Sequence, residues 1–585
     1  MAVTQPSVAE PTADPAPSHP TAIAGDWWRN AVVYQIYPRS FADGTGDGIG
    51  DLPGITSRLG ALAELGVDAV WLSPFFTSPQ ADAGYDVADY RDVDPLFGTL
   101  ADFDALLARA HQLGLKVIID LVPNHSSDEH PWFRAALAAA PGSPERARYH
   151  FRDGKGQDGA EAPNNWTSIF GGIGWTRVTE ADGRPGQWYL HMFDPRQPDW
   201  DWSNDAVREE FRSVLRFWLD RGVDGFRVDV ANSLVKRDGL PDYDPSADAG
   251  GVMAFGTPDG DALVANLHTS AAPMWDQDGV HDVYRDWRRI LDGYSPPRIL
   301  VAEAWVQPLS RLARYVRPDE MHQAFNFEYL SCPWNPAKLR EVIRASLEAN
   351  RSVGAPTTWV LSNHDVLRHP TRFGLADQSV RPNGIGPDDP QPDAALGLRR
   401  GRAATLTMLA LPGSAYLYQG EELGLPEHTG LDDHLREDPT WVRSGQTIRG
   451  RDGCRVPLPW EAERPGLGFG PTGATWLPQP AVYAGMSRDA EAADPDSTLR
   501  MYMAALRLRR EHGLGDGDLE WLDAPFGMDD TAVGSDIVAF RNSGVTVVAN
   551  MGSTAVDLPG GEVLLASAPL PADGTLPRDT TVWLG

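Results

Sequence analysis

From residue 31 onward the chain alternates short β-branched and aromatic runs with stretches in which apolar residues recur every three or four positions. Eight runs stand out: Val32–Tyr37, Ala69–Pro74, Lys116–Val122, Gly225–Val230, Ile299–Trp305, Ala324–Tyr329, Thr358–Ser362 and Ser414–Tyr418. Each is nearly continuous in hydrophobic character, the pattern of parallel strands covered on both faces. Between them, Phe103, Leu106, Leu107 and Ala110 fall at i, i+3, i+4 and i+7, as do Leu499, Tyr502, Met503 and Leu506, so one apolar stripe per helix faces a sheet. This alternation predicts an α/β fold, a closed (β/α)8 TIM barrel. Two intervals are too long for simple loops. About 123–198 predicts an inserted domain after the third strand, and about 421–495 a smaller insertion after the eighth. From about Gly513 the pattern shortens to Ile537–Phe540, Val545–Ala549 and Val563–Leu565, which predicts a C-terminal antiparallel β domain over 513–585. The barrel is then expected over 25–122 and 199–512.

Charge narrows the partners. Among 585 residues, 81 acidic side chains oppose 51 basic ones for a net charge of −30, and no Lys/Arg run makes a local exception. Such a surface repels phosphate backbones and anionic lipid, so neither nucleic acid nor a membrane is an expected partner. The two cysteines, Cys332 and Cys454, lack the spacing of a disulfide framework or a zinc site and read as buried free thiols. Residues 1–24 are rich in Pro, Ala, Ser and Thr, with no Lys or Arg before Arg29 and no apolar core, so a disordered leader is expected there rather than a secretory signal. No apolar stretch approaches the roughly 18 residues of a membrane span, which makes a cytoplasmic enzyme the expectation. No heptad or single surface stripe marks an oligomer interface.

In such barrels the chemistry sits at the C-terminal strand ends, and here those ends are crowded with acids. The third run ends Asp120-Leu-Val-Pro-Asn124-His125, the fourth Arg227-Val-Asp229, the fifth Glu303-Ala-Trp305 and the seventh Asn363-His364-Asp365. Asp229, Glu303 and Asp365 would converge on one mouth with Arg227, His125 and His364. Buried carboxylates that share a mouth raise each other's pKa, so structure alone would not select the set. Glycoside hydrolysis would: it uses one carboxylate as nucleophile and one protonated carboxyl for the leaving oxygen. A third can hold sugar hydroxyls as charge develops.

With these motifs the sequence resembles glycoside hydrolase family 13, the α-amylase family, and within it the α-glucosidase and oligo-1,6-glucosidase branch. The likeness also rests on Trp28–Phe41, Gln197-Pro-Asp199, Tyr418-Gln-Gly-Glu-Glu422 and Arg451-Asp-Gly-Cys-Arg455, in the family's order over about 27–585. It implies that Asp229 is the nucleophile, Glu303 the general acid/base and Asp365 the carboxylate that holds glucose hydroxyls. Arg227 would keep the nucleophile ionised, and His125 and His364 would donate hydrogen bonds to the sugar. Asp82 and Tyr85 would supply a hydroxyl contact and a stacking ring for the non-reducing glucose, with Phe170, Phe193 and Arg451 closing the pocket. A retaining mechanism places the Asp229 and Glu303 carboxyls about 5–5.5 Å apart.

One further loop, Asp43-Gly-Thr45-Gly-Asp47-Gly-Ile49-Gly-Asp51, spaces oxygen ligands two residues apart among glycines, a pattern suited to Ca²⁺ or Mg²⁺. In the resembling branch one structural calcium is held by the equivalents of Asp43, Thr45, Asp47 and Asp51 and the carbonyl of Ile49; Thr45 replaces the Asn usual there. The resemblance implies an exo-acting α-glucosidase for short oligosaccharides or other α-glucosides. Val230, after the nucleophile, is the residue common in α-1,6 enzymes. The stretches Asp229–Lys236, Glu303–Val306 and Arg451–Trp460 look most like actinobacterial α-glucosidases acting on α-1,4 links, and α-1,4 substrates are the expectation. A glucosyltransferase, or an α-1,6 or sucrose-type enzyme using the same residues, is the alternative.

Overall fold

The computed structural model describes residues 26–244, 272–379, 382–522 and 536–585; the leader expected over 1–24 lies outside them. Eight short strands, β1 (Val32–Ile36), β2 (Ala69–Leu72), β3 (Lys116–Leu121), β4 (Gly225–Val228), β5 (Ile299–Ala302), β6 (Gln323–Ala324), β7 (Thr358–Val360) and β8 (Ser414–Tyr418), form one sheet. They pair in parallel in the order β6-β5-β4-β3-β2-β1-β8-β7. A parallel bridge between Phe325 and Thr358 closes the circle. Barrel and C-terminal antiparallel sheet are therefore as the hydrophobic pattern predicts.

The sixth run differs. Ala324–Tyr329 reads as a strand, but β6 ends at Ala324 and a helix occupies Phe327–Ser331. The cause is Asn326, whose side chain accepts the Tyr329 N–H at 3.0 Å and caps that helix. Other helices carry their own local signals. Thr99 and Asp102 form a reciprocal capping box at the start of Leu100–Gln112, and Gly222 ends Asp205–Arg221 with φ 110.

Each strand sends alternate residues to two cores. Val33, Ala69, Trp71, Ile118, Ile299, Val301, Val360 and Tyr416 cluster inside the barrel, whereas Tyr34, Val70, Val117, Ile119, Phe226 and Leu300 pack outward against the helices. Two residues further along, the inward positions turn polar: Val33 gives way to Gln35, Ile118 to Asp120, Gly225 to Arg227 and Asp229, and Val301 to Glu303. The same period of two that fills the barrel floor thus points the charged residues into its mouth.

After β3 the chain leaves the barrel and builds a small antiparallel sheet from Phe151–Arg152, Trp175–Thr179 and Pro185–Leu190. It leaves and returns through one neck, where His125 and Asp199 form an antiparallel bridge. After β8, short helices and turns run from Asp433 to Ala493. The C-terminal sheet comprises β9 (Leu519–Trp521), β10 (Ile537–Asn542), β11 (Val545–Asn550), β12 (Val563–Ala566) and β13 (Thr580–Leu584), ordered β9-β10-β11-β13-β12. Both cysteines are buried and neither is in a disulfide, as their spacing predicts. No helix among the described residues is long and apolar enough to cross a membrane.

Candidate active site

Strand register assembles the first cluster. Asp120 in β3 lies beside Arg227 in β4, and Val228 lies beside Ala302 in β5, which brings Asp229 next to Glu303. Arg227 Nη1 donates to Asp120 Oδ1 at 2.9 Å and to Asp229 Oδ1 at 2.5 Å, and its Nη2 lies 3.8 Å from Glu303 Oε2. The guanidinium itself is buried, stacked 5.0 Å from the Trp71 ring, and Trp71 Nε1 donates to Asp120 Oδ2 at 3.2 Å. Glu303 Oε2 accepts the Val230 N–H at 2.7 Å. That bond requires an unusual backbone: Val230 has φ 42, the left-handed region that a β-branched residue adopts only under constraint.

Burial raises the Asp229 carboxyl well above the ordinary range; Arg227 opposes this, while Glu303, Asp120 and Asp365 reinforce it. Burial raises Glu303 as well. Two adjacent acids titrate as a pair, so between them they retain one proton where isolated carboxylates have lost both. Geometry assigns that proton to Glu303, because Arg227 touches Asp229 directly and stands off from Glu303.

A second cluster forms around Asp365. Its Oδ1 accepts from Arg451 Nη1 at 2.9 Å and Arg455 Nη2 at 3.1 Å, and its Oδ2 lies 3.2 Å from His364 Nε2. Burial works to raise this carboxyl, but the His364 N–H and the Arg451 and Arg455 charges overrule it and hold Asp365 well below the ordinary range. His364 is buried and its pKa is pushed down, so it is neutral. Gln35 Nε2 donates to its Nδ1 at 2.7 Å, which leaves the proton on Nε2, facing Asp365 and the Tyr85 hydroxyl at 2.6 Å. The Tyr85 ring stacks on His364 at 5.3 Å and its hydroxyl donates to Asp120 Oδ2 at 3.2 Å, joining the two clusters.

Arg451 ties in the third. Its Nη2 donates to Asp82 Oδ1 at 2.9 Å and its Nε to Asp438 Oδ2 at 2.6 Å, and it lies over the Phe170 ring at 5.3 Å. Asp82 also accepts from Gln197 Nε2 at 3.1 Å. Gln197 Nε2 lies 3.2 Å from His125 Nε2, and burial pushes His125 down to about 4. Phe193 meets both His125 and Phe170, with ring centroids 5.1 and 5.6 Å apart. All eleven residues singled out for the sugar site therefore join one network. The sequence reading gave no role to Asp120, Gln35, Gln197, Asp438 or Arg455. Asp120 carried a signal, since it follows the inward Ile118 by two; Gln197 and Arg455 stand within the motifs Gln197-Pro-Asp199 and Arg451-Asp-Gly-Cys-Arg455, whereas Asp438 sits in an irregular segment with none.

The candidate metal loop is less gathered. Asp43 accepts the Gly46 and Gly48 N–H groups at 2.6 and 2.9 Å, and Asp51 accepts those of Gly44, Thr45 and Gly54 as it caps the helix Leu52–Leu65. Thr45 Oγ1 joins Asp43 at 3.3 Å. Asp47 turns instead to the Ile49 N–H at 2.8 Å. Among the described residues no three His, Cys, Asp or Glu side chains stand together as a metal-binding group.

Residues 35–516 match the α-amylase catalytic domain family. The chain is 38% identical over 505 residues to a probable α-glucosidase of Rhizobium meliloti, covering 85% of each chain. It is 35% identical to an oligo-1,6-glucosidase of Parageobacillus thermoglucosidasius, covering 86% of this chain and 87% of that one. Among solved structures, an α-glucosyl transfer enzyme superposes with a TM-score of 0.80 at 34% identity over 96% of this chain and 100% of that one. The trehalulose synthase from Pseudomonas mesoacidophila gives 0.77 at 28% identity over 95% and 99%. With the family's catalytic domain matched over residues 35–516 and its strand-end acids drawn into one mouth, the chain belongs to the α-amylase family of glycoside hydrolases.

Proposed function

We propose that the protein is a retaining, exo-acting α-glucosidase that releases α-glucose from the non-reducing end of short α-glucosides, preferring α-1,4 links. The observation that carries this reading is Arg451, which spans Asp82 and Asp365 at 2.9 Å each and lies over the Phe170 ring, a barrier at one end of the mouth that suits a terminal sugar better than a through-running chain. In the proposed reaction Glu303 gives its proton to the glycosidic oxygen while an Asp229 oxygen bonds to the anomeric carbon, and the leaving alcohol departs protonated. Water then attacks that carbon, passes a proton to Glu303 and displaces Asp229. Two inversions restore the α configuration. Asp365, held ionised by two arginines, accepts hydrogen bonds from glucose hydroxyls; neutral His125 and His364 donate to them without adding charge. Tyr85 stacks against the ring.

The preference for α-1,4 links and the likeness to actinobacterial enzymes rest on the stretches Asp229–Lys236, Glu303–Val306 and Arg451–Trp460. A second reading, glucosyl transfer or sucrose conversion by the same residues, is favoured by the similarity to a glucosyl transfer enzyme and a trehalulose synthase. A cytoplasmic location fits the composition and is part of the proposal. Incubation with maltose, isomaltose and sucrose, followed by NMR of the products, tests both readings. Initial release of α-glucose chiefly from maltose supports the first, and accumulating trisaccharide or isomerised sucrose supports the second. Initial release of β-glucose overturns both.

The loop at Asp43–Asp51 is proposed to hold a structural Ca²⁺, with Mg²⁺ as the other hard cation its oxygens suit. Thr45 Oγ1 already meets Asp43 and its N–H meets Asp51, while Asp47 has to leave the Ile49 N–H to join them. Added calcium after chelation is expected to raise the melting temperature with kcat unchanged; an unchanged melting temperature contradicts the site.

A further inference from the structure

Of the four lysines in the chain, all among the described residues, Lys236 alone is sealed from solvent, with 1% of its side chain exposed, and no step of the reaction above uses it. Burying an ammonium is unfavourable unless its charge and all three N–H groups are met. Here they are. Nζ lies 2.9 Å from Asp199 Oδ2 and donates to Asn124 Oδ1 at 2.8 Å, to Ser233 Oγ at 2.9 Å and to the Ser233 carbonyl.

The partners come from three places in the chain. Asn124 stands where the inserted segment leaves the barrel and Asp199 where it returns, and the bridge between His125 and Asp199 pairs those two crossings. Ser233 belongs to the loop that follows Asp229. On its far side that loop hangs from the β5 end: Val230 N–H meets Glu303 Oε2 at 2.7 Å, Ala231 N–H meets the Glu303 carbonyl at 2.7 Å, and Asn232 Nδ2 meets the Trp305 carbonyl at 3.3 Å. Between these anchors sits Val230 with φ 42, a conformation that relaxes unless both ends are held. Lys236 supplies the second end. It fastens Ser233 to a neck that cannot shift without breaking the pairing of the inserted segment.

We propose that Lys236 is a positioning residue: by pinning Ser233 to Asn124 and Asp199 it keeps the strained turn at Val230 taut and the Val230 N–H on Glu303. Lys236 reaches neither carboxylate of the reacting pair, so its effect on Glu303 passes through the backbone. The groups that face Glu303 directly are Arg227, Asp229 and Asp365, with Trp305 beside it. Those that face Lys236 are Asp199 and Asp201, together with His125 and His150, which feel its charge. The two sets share no member.

This inference rests on the glucosidase reading for its kinetic test, but not for its structural one. Lys236→Met alone would strand the Asp199 charge, so the paired variant Lys236→Met with Asp199→Asn is compared with Asp199→Asn, which keeps the lysine. Two readouts are taken on the intact protein: backbone amide exchange over 229–236 by mass spectrometry, and the pH dependence of kcat/KM with kcat and KM separated on maltose. The paired variant is expected to exchange faster than Asp199→Asn over that segment, and to lose about tenfold to a hundredfold in kcat, the size of effect that a small displacement of reacting groups produces, with a smaller change in KM. Its basic limb is expected to move to higher pH, because Glu303 loses an N–H that favours its ionised form. Unchanged exchange together with an unmoved pH profile overturns the proposal and makes Lys236 a structural tie alone. If the wild type turns over no α-glucoside, the glucosidase reading fails and amide exchange still decides the positioning claim.

Discussion

Asp229 and Glu303 are neighbours of similar burial, and their unequal distances from one guanidinium divide their roles in the proposed reaction. Arg227 at 2.5 Å favours the ionised Asp229; Glu303, 3.8 Å from the same guanidinium, keeps the shared proton. Asp229→Asn is therefore expected to cut kcat by about 10⁴-fold or more. Its melting temperature should equal or exceed that of wild type, because the exchange removes a charge facing three other carboxyls and Arg227 keeps Asp120 at 2.9 Å. Unfolding of the variant where wild type is folded would make Asp229 structural. A second acid, outside the mouth, governs stability. Burial raises Glu421 to about 8, and among the described residues its carboxyl is met by the Tyr418 N–H and the Tyr502 hydroxyl, with His369 at 3.7 Å. An unfolded glutamate titrates near about 4.3. Between those values the unfolded chain gives up a proton that the folded one keeps, so stability falls as pH rises through that window. Glu421→Gln is expected to flatten the fall in urea midpoint between pH 5 and 8, and parallel curves for variant and wild type would refute this.

At the scale of elements, β4 and β5 set the distance between the reacting acids, and a glycine sets the distance between those strands. A Cβ on Gly225 would lie 2.7 Å from the Ile299 carbonyl oxygen and 2.5 Å from Ile299 Cγ1. Gly225→Ala is expected to destabilise by about 1–3 kcal/mol in urea titration and to lower kcat as well, since the strands that carry Asp229 and Glu303 must part. Full activity in that variant would separate barrel packing from the site. The elements themselves were largely legible in the sequence. Strands buried on both faces leave continuous apolar runs, and the acids that end them are fixed by chain direction and period. The sixth run misleads because Asn326 caps a helix inside it, a local hydrogen bond that outweighs β-branched composition. Asp438 was illegible for another reason: it reaches Arg451 from an irregular loop, across a separation that no periodicity encodes.

Across the whole molecule, the C-terminal sheet and the barrel share one interior. Val538, Phe540, Val547 and Trp583 join the core of the barrel helices, while Ile537, Ala539, Val548 and Val582 form a smaller cluster behind them. Trp583 Nε1 donates to the Leu406 carbonyl at 3.0 Å, fixing the sheet to the helix that precedes β8. At the opposite end, Arg443 donates from Nε to the Gly171 carbonyl at 3.2 Å and so joins the insertion after β8 to the one after β3 above the mouth. In the proposed function both insertions and the barrel act on one terminal sugar, and the chemistry reduces to a covalent bond at Asp229. Trapping tests this most directly: the protein is incubated with 5-fluoro-α-glucosyl fluoride, digested, and the peptides are weighed. A single fluoroglucosyl adduct is expected on the peptide that contains Asp229, and it should vanish in Asp229→Asn. An adduct on any other carboxylate, or turnover of the reagent with net inversion and no adduct, would contradict the account.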